Sequence, residues 1–230
     1  MKTMRAHISL SLVMVVGLSA CATDEFGNRR PYTDAENGVL IGAVGGAVFG
    51  GAVSKKKNRS KGVLIGAIGG GLAGGAVGAY MDKQKKDLEK SLAPEQNAGA
   101  IQIDKLPQNG LRITMTEQTA FSVNSAQIQP RFYSTMDKIS TVLNRYGKTE
   151  LTILGHTDST GSTQHNQALS EQRAQAVESY FVRKGVISQR LDSQGLGESA
   201  PRASNASADS RQLNRRVEIV IEPVVADQAS

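Results

Sequence analysis

Residues 38–53 read GVLIGAVGGAVFGGAV and residues 62–77 read GVLIGAIGGGLAGGAV, identical at 12 of 16 positions with an offset of 24. Within this duplicated unit Gly38, Gly42, Gly46 and Gly50, then Gly62, Gly66, Gly70, Gly74 and Gly78, recur every fourth residue. That spacing draws one smooth stripe along a helix. In water each interior glycine costs a helix about 1 kcal/mol relative to alanine, so such segments make poor soluble helices unless close contact compensates. Lipid supplies that condition, because backbone hydrogen bonds have no competitor there and two smooth backbones pack by dispersion. The pattern predicts a glycine-zipper helical hairpin over 38–80. Its turn, Ser54 to Lys61, carries Lys55, Lys56, Lys57, Arg59 and Lys61 and suits anionic head groups. Sixteen residues rise about 24 Å against a hydrocarbon core of roughly 30 Å, which leaves spanning open. A Gly-rich spacer is the plainer alternative. No GK[ST] ending and no strand-borne GxGxxG supports a phosphate cradle, and the basic turn lacks the interleaved aromatics of a nucleic-acid patch.

The chain begins with Lys2, Arg5 and His7 before an apolar run from Ile8 to Leu18, the layout of a secretory signal and too short for a usual span. The run ends Leu18-Ser19-Ala20-Cys21, with the only thiol of the chain at its end. This resembles a bacterial lipoprotein signal with its lipobox. The resemblance implies removal of residues 1–20, a diacylglyceryl thioether on Cys21 and a further acyl chain, such as palmitate, on the new amino group; an unmodified signal peptide is the alternative. Two or more chains anchor firmly, at about 0.8 kcal/mol per buried methylene. Ala22, where an Asp would resemble the inner-membrane retention signal, favours the outer membrane. Without residues 1–20 the chain keeps 210 residues (230 minus 20), and loss of Lys2 and Arg5 lowers the net charge from +6 to +4, too mild to demand nucleic acid.

A tether, 21–37, precedes the glycine repeat. After it, 81–100 reads as a charged linker helix, with Lys83 and Asp87 four apart and sparse apolar marks at Leu88 and Leu92. Fully extended, about 20 residues reach about 66 Å, enough to stand the next domain off a bilayer. From 101 to 222 strand and helix patterns alternate. Leu111, Ile113 and Met115 mark a strand; Pro130 suits a helix start, followed by Met136, Ile139, Val142, Leu143 and Tyr146 at helical spacing. Leu151, Ile153 and Gly155 mark a second strand running into a polar turn. A second helix starts near Ser162 or Thr163 and stops before Gly185. Leu191 to Gly195, then Val217, Ile219 and Ile221, give later strands. The predicted fold is α/β, one mixed sheet with helices on one face, ending in a disordered tail, 223–230.

The second helix puts Arg173 on the inward stripe of Leu169, Ala176, Val177, Tyr180 and Phe181, with Asn166 three residues before Leu169. A buried cation requires a partner, since an unpaired one costs several kcal/mol, and Asp158 at the end of the second strand is the expected one. The residues GHTDSTG from Gly155 to Gly161, with Asn166, Leu169-Ser170, Arg173-Ala174, Val177, Gly185, Arg190-Leu191, Gly195-Leu196-Gly197, Pro201 and Asn214-Arg215-Arg216-Val217-Glu218, resemble the OmpA-like peptidoglycan-binding domain of peptidoglycan-associated lipoproteins. The order of lipobox, glycine zipper and this domain resembles outer membrane lipoproteins of the YiaD type.

That resemblance implies noncovalent binding of the diaminopimelate in the peptidoglycan stem peptide, carried by Asp158 and Arg173. The chemistry agrees independently: a carboxylate suits the ammonium of a zwitterionic amino-acid end, and a planar guanidinium suits its carboxylate. Thr157 and Asn166 would add neutral hydrogen bonds, Leu169 would close one side, and Arg216 or Arg215 would support the ligand carboxylate. An internal salt bridge between Asp158 and Arg173 is the plainer role. His156 reads as packing and His165 as solvated. The expected function is a lipid-anchored tether between outer membrane and cell wall, its wall-binding domain in the periplasm. A membrane-embedded oligomer held by the zipper is the alternative. An enzyme is not expected, because Cys21 is committed to lipid, no metal trio is visible, and the serines lack a His and acid arrangement. No cofactor is called for, and the partners are peptidoglycan, membrane lipid and further copies of the chain.

Overall fold

The computed structural model describes residues 64, 66–122 and 124–226. The signal, Cys21, the tether and the first glycine segment lie outside them. Helices α1 (Val77–Ser91) and α2 (Ala93–Asn97) lead into strands β1 (Ile101–Lys105) and β2 (Leu111–Thr116). A short helix α3 (Glu117–Ala120) and helix α4 (Tyr133–Arg145) follow, then β3 (Thr149–His156), α5 (Thr163–Arg183), β4 (Leu191–Gly195), α6 (Ala208–Asn214) and β5 (Arg216–Pro223). The five strands form one sheet in the order β1-β2-β5-β3-β4. Only β3 and β4 pair in parallel, across the α5 crossover; the other pairs are antiparallel. The mixed α/β sheet agrees with the sequence pattern.

Period-two alternation decides which face is buried. Leu111, Ile113 and Met115 on β2, Leu151 and Ile153 on β3, and Val217, Ile219 and Ile221 on β5 point to the helical layer and are almost wholly buried. Met136, Ile139, Val142 and Leu143 of α4 and Ala174, Val177 and Phe181 of α5 meet them there. Helix α5 begins where Ser162 Oγ accepts the backbone N–H of His165, and ends before Gly185, whose φ of +86° is the left-handed conformation a glycine takes at a helix end.

At the carboxyl ends of β3 and β4, α5 lies against the sheet backbone to backbone. A Cβ on Gly155 would come 2.0 Å from Ser170 O, and one on Gly195 would come 2.4 Å from Glu171 N. Only glycine fits either place, and the closeness of that approach sets Arg173, one turn farther along α5, beside the loops at the end of the sheet.

Three expectations are corrected. The helix read as a solvated linker is part of the core: Val77, Met81, Leu88 and Leu92 join the central cluster. Its polar side is tied down as well, Asp87 accepting from Arg145 Nη1 and Tyr146 Oη at 2.8 Å each, and Asp82 from Lys105 Nζ at 2.6 Å. The sparse apolar marks sit at helical spacing, and one narrow stripe is sufficient for a helix that covers an existing core. Pro223 to Ala226, read as the start of a disordered tail, are ordered beside Leu72: Leu72 N–H donates to Val224 O at 2.7 Å and Ala226 N–H to Leu72 O at 3.0 Å. The second glycine segment is not one continuous helix, because Gly69 and Gly70 have φ of +71° and +100°. Its end, through Val77 and Gly78, is built into the domain as the start of α1. Among the described residues no helix is long and apolar enough to cross a membrane.

Candidate functional site

Beyond β3 the chain turns through Thr157 and Asp158. Thr157 N–H donates to Gly197 O at 2.9 Å, while its buried hydroxyl has no hydrogen-bond partner among the described residues. Asp158 is 6% exposed. Its Oδ1 accepts the Thr160 backbone N–H at 2.8 Å and its Oδ2 the Nη1 of Arg215 at 2.6 Å. Burial works against the charge, but Arg215 and the Thr160 N–H outweigh it and hold the Asp158 carboxyl below the usual carboxylate range.

Arg173 is 1% exposed and does not pair with Asp158. Its Nε donates to Ser125 O at 2.9 Å, its Nη2 pairs with Glu117 Oε1, and its guanidinium carbon lies 5.4 Å from the centre of the Phe121 ring. Glu117 Oε2 in turn meets Arg215 Nε at 2.8 Å. The charges therefore run in one line, Arg173, Glu117, Arg215, Asp158, alternating in sign and summing to zero. The expected direct bridge between Asp158 and Arg173 is replaced by this line, because Glu117, at the start of α3, reaches the guanidinium.

Asn166 is buried and donates Nδ2 to Glu198 Oε2 at 2.6 Å. Glu198 also accepts the Thr163 hydroxyl at 3.1 Å, which ties the start of α5 to the loop after β4. Leu169 is only half-buried; Ser170 and Ala174 take the inward places one residue along. Arg216 lies away from the line. It is paired across the ladder with His156, on the sheet face opposite the helices, where its Nε meets Glu218 Oε1 at 2.7 Å and its Nη1 donates to Asn214 O at 3.2 Å. Alternation requires this, since Val217 faces the core. Arg215, just before the strand, is the arginine that joins the line.

Glu117 was not singled out by sequence reasoning. The one available signal was its position immediately after the alternating Leu111, Ile113 and Met115, at the end of β2 where Thr116 pairs with Arg216. His156 is 2% exposed, and burial chiefly, helped by Arg216, pushes its imidazole down to about 4. His165 is exposed, with Nε2 3.1 Å from Asn124 Oδ1. Among the described residues no group of His, Cys, Asp and Glu is placed to hold a metal ion.

The line gathers two cations and two carboxylates, alternating, at the carboxyl end of the sheet. Two family models match the chain, a YMGG-like Gly-zipper over residues 1–82 and the OmpA family over residues 120–215. The probable lipoprotein YiaD of Escherichia coli is 35% identical over 96% of this chain and 100% of its own length. The peptidoglycan-binding protein ArfA of Mycobacterium tuberculosis is 40% identical over 44% of this chain but only 31% of its own length. Among solved structures, the cell wall anchor of the type VI secretion system of Pseudomonas aeruginosa matches with a TM-score of 0.54 and 26% identity, over 59% of this chain and 96% of that one. A MotB-like protein of Desulfovibrio vulgaris shares the fold, with a TM-score of 0.56 at 22% identity over 72% of this chain and 96% of that one. With a whole-length relative and both regions matched, the chain belongs to the OmpA-domain lipoprotein family of YiaD, whose members are binding proteins rather than enzymes.

Proposed function

We propose that the chain is an outer membrane lipoprotein that binds peptidoglycan noncovalently, anchored by lipid on Cys21 and holding the diaminopimelate of the stem peptide between Asp158 and Arg173. The observation that carries the ligand is the alternating line of charge at the end of β3, with an arginine buried to 1% exposure and a carboxylate held ionised. The guest's carboxylate meets the Arg173 fork and its ammonium meets Asp158. Thr157 brings an unengaged hydroxyl to the same rim, and Asn166, Leu169 and Arg215 frame it. No bond is made or broken. A single site of modest affinity suffices, because many tethers on one polymer gain avidity through effective concentration. The peptidoglycan-binding name of ArfA and the cell-wall-anchor description of the structural neighbour support the choice of partner.

The test is sedimentation with purified sacculi. Asp158→Ala and Arg173→Ala abolish co-sedimentation while circular dichroism retains the α/β signature; undiminished sedimentation of either refutes the reading. Recovery of Cys21→Ala outside the outer membrane fraction checks the anchor.

A second reading, favoured by the Gly-zipper match over residues 1–82, has several copies packing through their glycine stripes, with wall binding only positioning the assembly. Leucine at Gly42, Gly46, Gly66 and Gly70 then disperses the crosslinked oligomer; a chain that is monomeric before and after removes this reading.

A further inference from the structure

Asp158 and Arg173 are each already satisfied, and the two groups that satisfy them satisfy each other. Glu117 places Oε1 on Arg173 Nη2, where a guest's carboxylate would bind. Arg215 places Nη1 2.6 Å from Asp158 Oδ2, where a guest's ammonium would bind. Glu117 Oε2 and Arg215 Nε are 2.8 Å apart, and the Glu117 backbone N–H donates to Arg215 O at 3.0 Å. We propose that the Glu117–Arg215 pair is a built-in stand-in for the zwitterionic guest, filling the site when it is empty and leaving it by collapsing into a closed ion pair when the guest arrives. The proposal rests on the diaminopimelate reading and goes beyond it, because it assigns the state of the empty site and the two residues that set its affinity.

Burial requires some such device. Arg173, left without a counter-ion at 1% exposure, would be strongly destabilising, so an empty site of only Asp158 and Arg173 would be costly to maintain. With the stand-in, guest entry is an exchange in which every buried charge keeps a partner. The guest carboxylate takes Arg173 from Glu117, the guest ammonium takes Asp158 from Arg215, and Glu117 and Arg215, already in contact and joined at the backbone, become each other's sole partner. Glu117 is 13% exposed and Arg215 28% exposed at the side chain, so the displaced pair has water on one side. A guest with one charge only, a simple amine or a simple carboxylate, displaces one member of the pair and leaves the site with one uncompensated unit of charge. The exchange therefore favours a ligand carrying both charges on one carbon.

The test titrates free meso-diaminopimelate into the full-length chain in detergent, wild type and the double variant Glu117→Gln/Arg215→Gln, by calorimetry. Removing both stand-in charges keeps the site neutral overall and removes the competitor, so the double variant is expected to bind about tenfold tighter or better. If the wild type binds and the double variant binds equally or more weakly, the stand-in is overturned while the diaminopimelate reading survives. If neither binds, and neither sediments with sacculi, both fall. Should the double variant not fold, a crystal structure of the wild type with diaminopimelate decides: Glu117 on Arg215 alone supports the exchange, and Glu117 still on Arg173 beside the bound guest refutes it.

Discussion

The two ends of β3 each bury an arginine to 1% exposure, and they do so by different chemistry. At the start of the strand Arg190 meets no carboxylate among the described residues. Its Nε donates to Thr149 O at 2.7 Å, Nη1 to Leu143 O at 2.9 Å, and Nη2 to Tyr146 O at 3.0 Å and Thr149 Oγ1 at 2.7 Å. Burial pulls the pKa of its guanidinium down to about 10, with only the distant Tyr80 opposing. At the other end, seven residues on and about 23 Å away at about 3.3 Å per residue, Arg173 has one backbone carbonyl and a carboxylate shared with a second arginine. Carbonyls of the main chain cannot leave, whereas a side-chain carboxylate can. The first arginine staples the end of α4 to the sheet, and the second is held by a partner that exchange can replace.

The comparison is broken most directly by removing each arginine in turn. Arg190→Met removes the guanidinium from three backbone carbonyls at once, Tyr146 O keeping only the Thr149 hydroxyl at 3.2 Å, for a loss of upwards of about 3 kcal/mol. The expected readout is a large fall in the urea midpoint, with wall binding lost only in proportion to the unfolded fraction. Arg173→Gln leaves Glu117 with Arg215 and Ser125 O near solvent, so its cost is expected near 1–2 kcal/mol, while sedimentation with sacculi disappears from the folded protein. Equal stability losses at the two positions would show that both arginines are staples.

Much of this difference was invisible in the sequence, and the reasons are physical. The elements β2, α4, β3, α5, β4 and β5 follow from apolar periodicity and from punctuation at Pro130, Ser162 and Gly185, which are local signals. Arg173 stood out because a charge on an apolar stripe is itself a local anomaly, and Asp158 because it ends the neighbouring strand and is the expected partner of that charge. Which charge answers which is decided by tertiary approach. Glu117 comes from 56 residues before Arg173, and nothing near Glu117 marks it as different from any exposed glutamate. Arg215 and Arg216 are adjacent, so only the register of β5, which sends Val217 inward, tells them apart. Helix α1 was misread because its charges look solvated, although four of its neighbours in space, Arg145, Tyr146, Lys105 and Lys148, answer them or the adjacent Tyr80.

A smaller effect at the site end of β3 comes from acid. His156 has an ordinary value of 6.5 and a folded value of about 4, lowered first by burial and then by Arg216, with Glu218 opposing. Between those values the unfolded chain binds a proton that the folded chain does not. Stability is therefore full above about pH 6.5, falls as pH drops toward 4, and levels below it. The span corresponds to at most about 3 kcal/mol, and to less if the cluster relaxes. His156→Phe keeps a buried ring and flattens the fall between pH 6.5 and 4.5 in thermal unfolding; an unchanged slope would place the acid sensitivity elsewhere. Arg190, at the strand's far end, contributes nothing in this range because its titration lies near 10.

The smallest effect sharpens the comparison most. Asp158 has its folded pKa lowered, so it contributes stability that is present above its ordinary value of 3.8 and is lost as pH falls through the lower folded value. Asp158→Asn removes that contribution but keeps an acceptor for the Thr160 N–H, and Arg215, freed from one partner, still holds Glu117 Oε2 at 2.8 Å. If the site end is a chain of exchangeable partners, the neutral-pH cost of this change is below about 1 kcal/mol, since no buried charge is left alone, and the gap from wild type closes as pH falls below 3.8. The corresponding subtraction at Arg190, Thr149→Val, removes one acceptor from a buried guanidinium that has no carboxylate among the described residues to turn to, and it is expected to cost more at every pH. A double-mutant cycle between Glu117→Gln and Asp158→Asn then measures the coupling directly. Near-additive losses identify partners that can be changed one at a time, whereas strong coupling would mean that the line of charge is a single rigid unit, closed to a guest.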